Sequence, residues 1–131
     1  MEEEISPAEE MKKKGNDEFK KKNFPQAIEY YEEAIKMNSE EPLYYNNKAA
    51  AEIEMKEYDK AHETINKAIL LFDDGICKDY VRKAKVYARK GSLLAKQEKY
   101  AEAIEAYDKS FMEDGSVKTK EELRKLRKIQ K

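Results

Sequence analysis

The sequence predicts an all-α fold: three stacked helical hairpins and a C-terminal capping helix, coiled as a right-handed superhelix, an α-solenoid. Three observations carry this. One arrangement of residues recurs with a period of thirty-four, in residues 8–41, 42–75 and 84–117. In that register, position eight (Gly15, Ala49, Gly91), position twenty (Ala27, Ala61, Ala103) and position twenty-seven (Ala34, Ala68, Ser110) are small. Position seventeen is aromatic each time (Phe24, Tyr58, Tyr100). Small residues let two helices approach closely and the aromatic fills the turn between them, so the unit is a hairpin, and hairpins of this length stack.

Composition narrows the function classes. With 131 residues, 42% charged and 40% apolar, the chain has apolar surface for a two-layer helical stack. No run approaches the roughly 18 apolar residues of a membrane span, and the acidic residues 1–5 lack the basic and apolar regions of a signal peptide. No membrane association is expected. Cys77 is the single cysteine, which excludes an internal disulfide and points to a reducing, cytoplasmic setting. The 27 basic and 28 acidic side chains leave a net charge of −1, which argues against bulk attraction to nucleic acid.

Residues 1–6 read as an N-terminal tail and 7–131 as one domain. Ser6, Pro7 and Glu9 make a helix start: a capping hydroxyl, a proline where no amide hydrogen is needed, and a carboxylate reaching back. The first helix is expected to run to about Lys22, with Asn23 and Phe24 in the turn. The second, about Pro25 to Met37, spaces Ile28, Tyr31, Ala34 and Ile35 by three and four, as one buried face requires. The next pair spans about Pro42 to Met55 and Tyr58 to Phe72. Residues 76–83 are an extended connection without proline, expected to lengthen the third repeat's first helix from about Ile76; its partner runs from about Tyr100 to Glu113. Asp114, Gly115 and Ser116 break the pattern before a capping helix, residues 117–131, that offers Leu123, Leu126 and Ile129 to the stack. Seven of its fifteen residues are Lys or Arg, which reads as a solvated outer face.

In a stack of this kind the first helix of each hairpin lines a concave groove. At 100° per residue, positions two, five, six, nine and twelve share the groove face. Lys12 and Asn16 fall there in the first repeat, Asn47 in the second, and Lys85 and Arg89 in the third. Three cations and two amides are thus expected to converge, with no acidic residue among them, on a doubly charged anionic chain end: a main-chain carboxylate beside a side-chain carboxylate. Phe19 stands at the groove edge, and Ala50 and Glu54 face the same channel.

Catalysis finds little support. The single histidine, His62, shares its repeat position with Ile28 and Ile104, which reads as half-buried packing. A lone cysteine makes no zinc site, four glycines form no phosphate loop, and Glu32 and Glu33 sit on outward faces. No catalytic residue, metal or cofactor is expected.

The repeat resembles the tetratricopeptide repeat. Its segments KKKGND (residues 12–17), YNNKAA (45–50) and KVYARKG (85–91) are similar to those of the carboxylate-clamp co-chaperones. The resemblance implies that Lys12, Asn16, Asn47, Lys85 and Arg89 hold both carboxylates of a terminal Asp. Through DDGICKDYVRKAK (73–85) the likeness is greatest to the central, heat-shock protein 90-binding domains of the stress-inducible organising co-chaperones, whose preferred tail is Met-Glu-Glu-Val-Asp. It implies a monomeric adaptor for the C-terminal peptide of heat-shock protein 90. A clamp preferring the heat-shock protein 70 tail and a self-assembling repeat module stay open beside it. The chain departs from the repeat signature at position four (Met11, Tyr45, Tyr87 for Trp), position seven (Lys14, Lys48, Lys90 for Leu) and position thirty-two (Ser39, Asp73, Gly115 for Pro).

Overall fold

A computed structural model describes residues 4–114 and 117–130. Its elements are α1 (Pro7–Lys20), α2 (Phe24–Met37), α3 (Pro42–Glu54), α4 (Tyr58–Asp73), α5 (Tyr80–Lys96), α6 (Tyr100–Glu113) and α7 (Val117–Gln130), with no strand among the described residues. Helices pair in sequence order as α1–α2, α3–α4 and α5–α6, and α3 also packs against α1 and α5. The first helices of the hairpins therefore run side by side, and α7 closes the end against α6.

Each hairpin turn uses the same backbone device. Lys22, Lys56 and Glu98, all at repeat position fifteen, adopt φ of 64°, 61° and 61°. One residue later the chain hydrogen-bonds five residues back: Asn23 N to Glu18 O, Glu57 N to Glu52 O and Lys99 N to Leu94 O, each at 2.9 Å. This left-handed closure ends α1 at Lys20 rather than at Lys22 and lets α2 begin at Phe24, which the sequence places in the turn.

The small positions face the second helix of the same hairpin. A Cβ on Gly15 would lie 2.5 Å from Tyr31 Cε1, and one on Gly91 would lie 2.6 Å from Tyr107 Cδ2. Tyr31, Ile65 and Tyr107 share repeat position twenty-four, so a glycine meets a tyrosine in the outer hairpins while Ala49 packs in one cluster with Ile65 in the middle one. Volume is conserved across each pair, as close-packed interiors require. Ser110, at a small position, donates to Ala84 O at 2.7 Å. His62 is half-buried, and its Nε2 lies 2.6 Å from Gln97 Oε1, tying the second hairpin to the third.

Three expectations are corrected. Residues 76–79 do not extend the third repeat's first helix. Gly75 turns at φ 73° and Cys77 N donates to Leu71 O at 2.9 Å. Asp79 then caps α5 by accepting from Arg82 N at 3.0 Å, and Arg82 pairs with both Asp79 and, at 3.0 Å, Glu41. A side chain that satisfies a first-turn amide stops the helix from starting earlier. At the other end, Ser6 Oγ does accept from Glu9 N at 3.1 Å, but the Glu9 carboxylate goes to Lys12 and Tyr44 instead of reaching back. In α7, Leu123 and Leu126 are buried whereas Ile129 is 57% exposed; six residues on from Leu123 it has rotated roughly 120° off the packed face. The break at Gly115 and Ser116 and the last residue, Lys131, lie outside the described residues.

Candidate anion-binding groove

Along the side where α1, α3 and α5 neighbour one another, two amides and a phenol meet. Asn16 Oδ1 accepts the Tyr31 hydroxyl at 2.6 Å and lies 3.5 Å from Asn47 Nδ2. Both asparagines are half-buried. Tyr31 reaches Asn16 from α2 because Gly15 lets its ring lie against α1. Burial pushes the Tyr31 hydroxyl up to about 12, against an opposing pull from the Arg89 charge, so it stays a neutral donor.

From α5, Lys85 and Arg89 line a cleft of about 520 Å³ together with Asn46, Ser92, Tyr107 and Glu122. Lys85 is exposed, Arg89 half-buried. Burial holds the Arg89 guanidinium below its ordinary value, opposed by the Tyr107 phenol, Glu54 and Tyr31. Its Nε is enclosed with no hydrogen-bond partner among the described residues. A buried guanidinium donor without an acceptor is costly on its own and favours an oxyanion beside it. The Tyr107 hydroxyl is likewise pushed up to about 12 by burial.

Lys12 sits one turn before Asn16 on α1, half-buried, with its ammonium 2.7 Å from Glu9 Oε2. The other Glu9 oxygen accepts the Tyr44 hydroxyl at 2.6 Å. The expectation that no acidic residue accompanies the cations is therefore corrected. Glu9 occupies groove position two of the first repeat, Glu54 lies within electrostatic reach of Arg89, and Asp114 and Glu122 line the cleft. Asp114 and Glu122 come from the end of α6 and from α7, which a register restricted to the first helices does not include.

Of the remaining groove residues, Ala50 is buried and Glu54 exposed. Phe19 is half-buried against Ala27, Tyr31 and Ala51, its ring edge-on to Phe24 with centroids 5.1 Å apart. Sequence reasoning passed over three groups. Asn46, 6% exposed with an unpartnered Oδ1, sits at position five, which the wheel already assigns to the groove. Tyr31 and Tyr107 share position twenty-four, and their signal was the glycine each faces. No group of three or more His, Cys, Asp or Glu among the described residues is placed to hold a metal ion.

Tetratricopeptide-repeat family models match residues 12–76 and 84–115. The Hsp70-Hsp90 organising protein of Plasmodium falciparum is 42% identical over 118 residues, covering 90% of this chain and 21% of that protein. The chain thus spans about a fifth of the length of the curated relatives it matches. The TPR2AB-domain:pHSP90 complex of yeast Sti1 superposes with a TM-score of 0.86 at 33% identity, over 92% of this chain and 46% of that one. The TPR2B-domain:pHsp70 complex of yeast Sti1 gives 0.73 at 28%, over 92% and 90%. Repeat period, hairpin packing and these similarities agree: the chain belongs to the tetratricopeptide-repeat family, as a domain of the type found in the Hsp70-Hsp90 organising co-chaperones.

Proposed function

We propose that this domain is a cytoplasmic, monomeric, non-enzymatic adaptor that captures the acidic C-terminal tail of heat-shock protein 90. Lys12, Asn16, Asn47, Lys85 and Arg89 are its carboxylate clamp. The observation that carries the reading is the buried Arg89 Nε without an acceptor, on a guanidinium within electrostatic reach of Tyr31, whose hydroxyl donates to Asn16. Asn16 and Asn47 donate amide hydrogens to the terminal carboxylates, Lys12 and Lys85 supply charge, and Arg89 engages them through its planar fork. Phe19, Ala50 and Glu54 flank the tail at the groove's edges. The relatives bear on the partner: one solved structure is of a yeast Sti1 domain pair with an Hsp90 peptide, another of a Sti1 domain with an Hsp70 peptide. This chain covers 46% of the two-domain first structure, so the choice of the heat-shock protein 90 tail rests on the likeness of residues 73–85 to the central domains of the organising co-chaperones.

A few charge-assisted contacts worth roughly 1.5 to 3 kcal/mol each, less the cost of ordering a flexible peptide, leave micromolar affinity. That suits an exchangeable tether. Calorimetry with peptides ending Met-Glu-Glu-Val-Asp and Ile-Glu-Glu-Val-Asp tests the partner, and tighter binding of the second reverses the assignment. A C-terminal amide on the first peptide should cost most of its affinity; retention of full affinity removes the clamp itself.

A further inference from the structure

Glu9 stands where the groove needs it least. Position two of the repeat carries Glu9 in the first hairpin and Lys85 in the third, so equivalent places on the groove face bear opposite charges. Neither carboxylate oxygen of Glu9 is free: Oε2 takes the Lys12 ammonium at 2.7 Å and Oε1 the Tyr44 hydroxyl at 2.6 Å. Tyr44 is 1% exposed, so its hydroxyl is a fixed anchor rather than a solvent-swept one. These two hydrogen bonds, Lys12's first, hold the Glu9 carboxyl below its usual range, so it is an anion under any physiological condition. Lys12 therefore enters any binding event with a carboxylate already on it.

We infer that Glu9 is an affinity-setting residue, an internal carboxylate that shares Lys12 with the incoming chain end and so restrains the grip of the groove on anionic tails. The inference rests on the clamp reading of Lys12. Two opposing effects decide its sign. Glu9 holds the Lys12 side chain in one place, which spares part of the rotamer entropy that a guest must otherwise freeze. It also puts a fixed negative charge beside a terminal residue that carries two, in a partly dry groove where like charges repel more strongly than in water. Lys12 and Glu9 side chains are 27% and 35% exposed. At that depth the repulsion is only partly screened, while holding one lysine in place recovers only part of one side chain's entropy; repulsion is the larger. Glutamine at position 9 separates the two, because its amide oxygen still accepts from Lys12 or Tyr44 while its charge is gone.

The test is calorimetry of the peptide Met-Glu-Glu-Val-Asp against wild type, Glu9→Gln, Lys12→Ala, the double variant, and Glu10→Gln. Glu10 is exposed on the same turn, so its variant carries the same change in net charge. Glu9→Gln should bind about fivefold tighter and Glu10→Gln within about twofold of wild type, since exposed charges are screened. In the Lys12→Ala background the gain from Glu9→Gln should persist at about fivefold or rise, because the repulsion acts between Glu9 and the guest directly and Lys12 no longer offsets it. Thermal melts check that each variant is folded, and Glu9→Ala provides a second neutral side chain if Glu9→Gln melts early. If Lys12→Ala weakens binding while both neutral variants at position 9 bind no tighter than Glu10→Gln, the inference is overturned and the clamp stands. If Lys12→Ala binds as well as wild type, the clamp reading falls and takes the inference with it.

Discussion

Tyr31 lies so close over Gly15 that a Cβ at position 15 would fall 2.5 Å from its Cε1, and from there its hydroxyl reaches Asn16 Oδ1 at 2.6 Å. Packing and site are joined in those two residues. The glycine that admits the ring also decides where a groove amide points.

Gly15→Ala should therefore destabilise the fold by about 1 to 2 kcal/mol, because overpacking costs more than the better helix propensity of alanine returns. Combining it with Tyr31→Ile recreates the Ala49 and Ile65 combination of the middle hairpin. The double variant should melt above Gly15→Ala alone. A double variant less stable than both single ones contradicts the volume exchange.

Tyr31→Phe keeps the ring and removes the anchor of Asn16. Stability should change by about 1 kcal/mol or less, while tail binding weakens by about three- to tenfold. Chemical denaturation and peptide titration, run on the same preparation, separate the two. Unchanged binding indicates that Asn16 needs no fixed orientation.

Arg89→Ala removes a charge whose Nε is buried and unpartnered. Binding of the tail should fall at least about tenfold, equivalent to roughly 1.5 to 3 kcal/mol, and its residual salt dependence should be shallower. Relief of a buried, uncompensated donor should leave the melting temperature of the free domain unchanged or higher. His62→Ala, whose partner is Gln97 far along the chain, should leave tail binding within about twofold.

Glu52 is 3% exposed and accepts from Thr64 Oγ1 at 2.7 Å. Burial raises its carboxyl above the usual range, opposed by the Thr64 bond and Lys48 and reinforced by Glu57 and Glu32. A folded-state value above the unfolded one means its contribution is complete at pH below the ordinary carboxyl range and is lost as pH rises through the raised value. Glu52→Gln should thus stabilise the domain by about 1 kcal/mol at neutral pH and by nearly nothing near pH 4. Melting curves of both proteins across that range should diverge upward in pH; parallel curves rule the account out.

Lys56 holds φ 61° in the second hairpin turn, a conformation that costs a side-chain-bearing residue roughly 1 kcal/mol. Lys56→Gly should raise stability by about 0.5 to 1 kcal/mol by relieving that strain. Lys22 and Glu98 occupy the same turn position with φ 64° and 61°, so the effect should repeat there. Denaturant midpoints of the three single variants check it.

The thirty-four-residue period, the small positions and the aromatic at each turn are local quantities, and they determined the all-helical hairpin stack and most helix limits from the sequence alone. Spacing along one helix likewise assigned Lys12 and Asn16, or Lys85 and Arg89, to a shared face, because helical geometry is invariant. Tertiary structure decided what those faces meet. Tyr44 donating to Glu9, Arg82 reaching Glu41, and Glu122 of α7 entering the Arg89 cleft all depend on side chains brought together from separate helices. A charge has no periodicity that reveals its partner. Its energy is set by distance and burial, and both come into being only when the helices pack.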